Sequence, residues 1–139
     1  MEGSESKSTK SIELVSLLYD SLHSRNIPKL LEIVTKDVTW NVTEGFPYSG
    51  IYTGLGNVLR GFYARLMSGL DKFGTEKIKW IDAGRNVIVH GYYLMTIKGE
   101  VKEHRIRFAH TWGIEDGKIT GVWQVADTAK IPLVLQVQQ

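Results

Sequence analysis

The sequence predicts an α+β fold: a cone-shaped, curved, mostly antiparallel sheet wrapped around three N-terminal helices, with an internal pocket. Three observations predict it. Apolar residues recur at helical spacing in three stretches of the first half of the chain. After Phe73 the apolar period switches to two, the signature of half-buried strands. The connections between those later runs are short, which forces neighbouring strands to pair antiparallel. Helices followed by such a meander form an α+β layer architecture, and a curved sheet folded over helices encloses an interior.

The elements follow in chain order. Val15, Leu18, Tyr19 and Leu22 hold the i, i+3, i+4, i+7 spacing of a first helix, with Leu14 and Leu17 widening its apolar face. Ile27, Leu30, Leu31 and Val34 repeat the pattern on a short second helix. Asn26 is placed to cap it, and Pro28 fits its first turn, where a missing N–H costs nothing. Residues 37–42 alternate, with Val38, Trp40 and Val42 as the apolar row of a strand. The Gly- and Pro-punctuated stretch 44–54 reads as a loop. Leu55, Val58, Leu59, Phe62, Tyr63, Leu66, Met67 and Leu70 then carry the third helix. Four strands are expected at 77–82, 87–97, 103–114 and 119–127, with turns at Gly84, Gly99 and Asp116-Gly117.

The length of 139 residues fits one domain. Residues 1–10, polar and without an apolar run, read as a disordered tail rather than a signal peptide. Residues 11–130 form the domain, and 131–139 a C-terminal tail. The absence of cysteine excludes thiol catalysis, disulfides and thiolate metal sites. A formal charge of +2 calls for neither nucleic acid nor an anionic membrane. No apolar run approaches the ~20 residues of a membrane span. A cytoplasmic protein is the expectation.

Three stretches carry a family likeness. Tyr19-Asp20-Ser21-Leu22-His23-Ser24-Arg25-Asn26 resembles the end of a first helix, and Asp37-Val38-Thr39-Trp40 with Gly54 and the helix after it a first strand and third helix. Asp116-Gly117-Lys118-Ile119, with Asp127 eight residues beyond, resembles a last hairpin. Their order and spacing resemble the nuclear transport factor 2-like superfamily, in its SnoaL-like, ketosteroid-isomerase-related branch. That resemblance implies the cone and a homodimer. It leaves the activity open, because the superfamily includes isomerases, dehydratases, polyketide cyclases, epoxide hydrolases and non-catalytic binding proteins.

The residues remove two of those chemistries. A steroid isomerase needs a carboxylate base with a tyrosine and a protonated acid as oxyanion donors. By position these fall at Val42, Leu18 and His110, and residues 39–43 hold no carboxylate that a shift of alignment would supply. The limonene epoxide hydrolase arrangement needs an Arg-x-Asp pair, which this sequence lacks, and its last-strand acid falls at the neutral Gln124. The polyketide cyclase arrangement, with an acid/base residue near the end of the last strands, leaves His110 and Asp127.

His110 shares a row with Ile106, Phe108, Trp112 and Ile114, so it should face inward, as an acid/base group or as a satisfied core histidine. A three-residue turn at Gly99-Glu100-Val101 would set His90 opposite it, with Cβ atoms ~5 Å apart. A three-residue loop at Glu115-Asp116-Gly117 would place Gln124 in the pocket and Asp127 at its exit; a two-residue turn would exchange them. Tyr19, Trp40 and Trp112 complete an expected aromatic lining. The candidate catalytic residues are therefore His110 and Asp127. Tyr19, Trp40, His90, Trp112 and Gln124 are the candidate substrate-binding residues. No metal and no organic cofactor are expected.

Two functions fit: an isomerase, cyclase or dehydratase acting by acid/base chemistry on a small hydrophobic molecule, or a non-catalytic module or structural dimer holding a small apolar ligand. Both large apolar rows of the last strands, Trp112 on one and Trp123 with Val125 on the other, call for cover. A homodimer through the outer sheet face is the expected partner arrangement.

Overall fold

The structure, a computed structural model, describes residues 9–136. Helix α1 (Lys10–Ser24) begins where the Thr9 hydroxyl accepts the Ile12 N–H, and ends where Arg25 turns left-handed at φ 57°. Its buried face is Val15, Leu18, Tyr19 and Ser21, while Leu17 points outward. Helix α2 (Ile27–Ile33) is capped by Asn26, whose Oδ1 accepts the Lys29 N–H at 3.2 Å. The chain passes directly into β1 (Val34–Val42), so Val34 opens a strand instead of closing a helix.

The expected loop at 44–54 contains a short strand, β2 (Gly50–Thr53), paired antiparallel with β1. Residues 55–68 form helix α3: an α-turn (Leu55–Asn57), a π-helical stretch (Val58–Tyr63) and a last α-turn (Ala64–Ser68). Leu70 lies outside it and begins β3 (Leu70–Asp82), which runs well before the expected 77–82. Strands β4 (Asn86–Ile97), β5 (Glu103–Glu115) and β6 (Lys118–Ala126) follow. The six strands form one curved sheet in the order β2-β1-β6-β5-β4-β3. All neighbours are antiparallel except β1 and β6, which pair parallel. The fold is α+β, as expected, and the parallel pair makes the sheet mixed.

Curvature comes from irregularities in the ladders. The β3–β4 register shifts between Lys77 and Lys79, opposite Gly91. A Cβ at Gly91 would fall 2.2 Å from the Glu76 carbonyl oxygen and 3.1 Å from the Phe108 ring. Only glycine permits both approaches, and the second sets Phe108 within the core. Gly121 does the same at the β1 contact, where a Cβ would sit 2.4 Å from the Thr39 carbonyl oxygen.

The inner sheet face packs against α1 and α3. Val87, Val89, Tyr93 and Met95 of β4 meet Ile106, Phe108 and Trp112 of β5, with Val122 of β6. Leu18, Val58, Phe62 and Leu66 close the other side of the core.

The domain continues past residue 130. After a 3₁₀ turn (Thr128–Lys130), Ile131 and Leu135 of α4 (Leu133–Gln136) are buried. The Gln136 side chain donates back to the Thr128 and Ile131 carbonyls. The tail expected at 131–139 is therefore packed as far as residue 136, because Ile131 and Leu135 have core to bury against. The tail expected at 1–10 lies outside the described residues up to position 8, and Lys10 is already helical. Among the described residues, no helix is long and apolar enough to cross a membrane.

Candidate functional site

Alternation along β5 turns His110 inward, where only 6% of the residue remains accessible. Its two ring nitrogens meet two tyrosine hydroxyls. Tyr19 of α1 stands 2.6 Å from Nδ1, and Tyr93 of β4 stands 2.6 Å from Nε2. Phe108 stacks on the imidazole with ring centroids 3.9 Å apart. Trp112 presents an edge to both His110 and Tyr19, and donates its Nε1–H to the Tyr19 oxygen at 2.9 Å.

Gln124 lies directly opposite His110 on β6. Its Oε1 accepts the Thr43 backbone N–H at 3.0 Å, which orients the amide so that Nε2 donates to the Tyr93 oxygen, also at 3.0 Å. Trp40 of β1 donates its Nε1–H to the Tyr63 hydroxyl at 3.3 Å and packs edge-on against Trp112. The interior thus holds one chain of hydrogen bonds, Trp112–Tyr19–His110–Tyr93–Gln124, with the Trp40–Tyr63 pair beside it.

No carboxylate enters that chain, and burial decides its protonation. Burial lowers the His110 pKa from 6.5 to about 3, so the imidazole is neutral at physiological pH. Burial raises the Tyr19 and Tyr93 hydroxyls above their usual value, and Tyr63 to about 12. Hydrogen bonds from Trp112, Gln124 and Trp40 respectively oppose part of each rise. Every titratable group of the array is uncharged, so the array acts by hydrogen bonding.

Five of the seven sequence-derived candidates come together here: Tyr19, Trp40, His110, Trp112 and Gln124. His90 and Asp127 do not. The β4–β5 ladder pairs Val89 with His110 and His90 with Ala109, so His90 faces outward. The connection between those strands spans residues 98–102 and is not the three-residue turn that would have aligned the histidines. Asp127 is exposed just beyond β6, its backbone N–H bonded to the Arg107 carbonyl. His90, Asp127, Ile78, Arg107 and Val125 line a depression of about 640 Å³ on the outer sheet face. A second depression, about 470 Å³, opens on the outer face near Trp123 and Thr111.

Gln124 reaches the interior by a route the sequence did not suggest. Asp116 and Gly117, both at positive φ, form a two-residue turn, and Glu115 pairs with Lys118. A bulge between Gly113 and Ile114 then shifts the ladder by one residue and restores the inward register. Tyr93, Tyr63 and the Thr43 N–H are the site members that sequence reasoning missed. Tyr93 carried a usable signal, because it shares the alternating row of Val87, Val89 and Met95.

The SnoaL-like domain model matches residues 15–122, more than half of the chain. The chain belongs to the SnoaL-like family. Solved structures of the nuclear transport factor 2-like type share its fold. One is an NTF2-like protein from Burkholderia thailandensis E264, 26% identical, with a TM-score of 0.79 over 96% of this chain and 99% of that one. TerC, co-crystallised with polyporic acid, is 23% identical with a TM-score of 0.79, covering 94% and 100%. A protein from Jannaschia sp. CCS1, assigned as a SnoaL-like polyketide cyclase, is 14% identical with a TM-score of 0.73, covering 94% and 93%. No curated protein matches the sequence.

Proposed function

We propose that this SnoaL-like protein takes a small hydrophobic molecule against the Tyr19–His110–Tyr93 array and promotes an isomerisation, cyclisation or dehydration of it. The observation that carries this reading is the pair of 2.6 Å contacts that bracket one imidazole with two tyrosine hydroxyls. Three titratable groups in one hydrogen-bonded chain, with His110 between the two tyrosines and an aromatic shell around them, make a site able to share protons with a substrate. His110 accepts from one hydroxyl and donates to the other, and Gln124 orients Tyr93. Asp127 has no part in it. The likeness of TerC, co-crystallised with polyporic acid, supports a small organic ligand. No metal or organic cofactor enters the proposal.

A second reading, a non-catalytic binding module, draws on a specific observation: the array contains no carboxylate and resists any charge. The two readings separate in a thermal-shift screen with small aromatic and polyketide-like ketones, followed by NMR of each stabilising compound after incubation. Stabilisation with conversion of the compound is the expected result. Stabilisation without conversion supports the binding module, and a complete lack of stabilisation contradicts both.

We also propose a cytoplasmic homodimer that pairs through the outer sheet face. Trp123 is 63% exposed and Ile78 58%, with Val125 beside them, on the face that carries the larger depression. An exposed tryptophan amid apolar neighbours marks a contact surface. Sedimentation at tens of micromolar is expected to give a dimer, and Trp123→Lys a monomer of unchanged fold. A monomeric wild-type protein would contradict the pairing.

A further inference from the structure

Tyr19, Tyr93, His110, Trp112 and Gln124 are all buried, so a ligand reaches them only through something that moves. The sheet and helices around them are tied by ladder and helix bonds. Between Val42 and Gly50 the chain belongs to neither a helix nor a strand. That short segment carries Phe46, which is fully buried and among the largest side chains in the core. Phe62 and Phe108, the other buried phenylalanines, are carried by α3 and by a central strand.

Phe46 lies on the array itself. Its ring centroid is 5.4 Å from that of Tyr93 and 6.1 Å from that of Phe62. Tyr93 in turn holds His110 Nε2 at 2.6 Å. The base of the segment joins the same chain of bonds, because the Thr43 N–H donates to Gln124 Oε1 and Gln124 Nε2 donates to Tyr93. Withdrawing Phe46 would bare the Tyr93 ring, and moving Thr43 would loosen the amide that orients its hydroxyl.

The segment is held shut lightly and under strain. Gly45 at φ 91° and Gly50 at φ 139° bracket Phe46-Pro47-Tyr48-Ser49, two points where the backbone turns without a side-chain penalty. Tyr48 sits between them at φ 57°, a left-handed conformation unfavourable for an aromatic residue. Its carbonyl accepts the Tyr52 hydroxyl at 2.5 Å, and the Arg65 guanidinium lies 4.3 Å above its ring. Arg65 is exposed, and a cation over an aromatic face at the surface is a weak latch.

We infer that residues 46–49 are a gate and that Phe46 occupies the place of the ligand's ring: the strap swings out, and one aryl or cycloalkyl group of the ligand settles between Phe62 and Tyr93. The assignment rests on the proposed small-molecule site and adds how that site is entered and what fills the vacated space.

The sequence has no cysteine, so a single introduced thiol reports its own exposure. Phe46→Cys and Phe62→Cys remove the same side chain from the same cluster, one on the strap and one on α3. Labelling by N-ethylmaleimide in native buffer is expected to be ~100-fold faster at position 46, as local opening well below global unfolding gives. Equal rates would overturn the gate. In the unaltered chain, whatever the folding of the variants, the Thr43 amide should exchange with solvent ahead of the β5 ladder amides. Exchange of both only through global unfolding would overturn the gate as well. Toluene is the probe for the vacated space. Calorimetry should show Phe46→Ala binding it ~10-fold more tightly than the wild type, because no closed state competes, with Phe46→Leu between. Equal affinity for the wild type and Phe46→Ala would show that Phe46 is not displaced and would overturn the assignment. If toluene binds neither protein, the small-molecule reading fails and takes the ligand's place with it, whatever the labelling rates.

Discussion

His110→Ala is expected to lower the unfolding free energy by roughly 3–4 kcal/mol and to abolish ligand binding. The substitution leaves two buried hydroxyls, Tyr19 and Tyr93, without the partner each holds at 2.6 Å. An orphaned buried polar group costs about 1–3 kcal/mol, and the space vacated beneath Phe108 adds a cavity penalty. His110→Gln should recover part of the loss, because an amide both donates and accepts. Denaturant unfolding of the three proteins checks this. A loss below about 1 kcal/mol for alanine would show that the tyrosines do not depend on the imidazole.

The second large effect concerns acid. The His110 pKa is depressed, from 6.5 to about 3, so the folded state excludes a proton that the unfolded chain binds. The contribution is complete above pH 6.5 and is lost as pH falls from 6.5 toward 3. At one proton the slope is about 1.4 kcal/mol per pH unit. By pH 4.5 the wild type should have lost roughly 2–3 kcal/mol that His110→Gln retains. Asp82, held below the usual carboxylate range by the Thr9 hydroxyl and the Gly84 N–H, destabilises both proteins alike at lower pH and cancels in the comparison. Parallel stability curves for the two proteins would refute the assignment.

What could be read from the sequence follows from what periodicity encodes. The 3.6-residue repeat located the helices, and the two-residue repeat put Ile106, Phe108, His110 and Trp112 on one face of β5, where the structure has them. Periodicity assigns a face within a strand; it does not assign register between strands. His90 was therefore set opposite His110 by supposing a β4–β5 register one residue off the one that forms, and a shift of one moves a side chain through the sheet. Gln124 reached the expected face through two departures that cancel: a shorter turn at Asp116-Gly117 and a bulge at Gly113. The early part of β3 escaped notice because this edge strand has a neighbour on one side only, and its burial does not alternate cleanly. The parallel pairing of β1 with β6 joins distant segments and leaves no local mark. Tyr93 and Tyr63 were visible as apolar positions, but their role depends on where their hydroxyls converge, which is a property of the packed core.

The central claim is that His110 is a neutral imidazole locked between two tyrosine hydroxyls. It is tested most directly by ¹⁵N NMR of histidine-labelled protein across pH 7.5 to 4. The two His110 nitrogens should give separate signals for one protonated and one bare, hydrogen-bonded nitrogen, and these signals should hold their positions throughout. A His110 resonance that titrates with a midpoint near 6.5 would contradict the account.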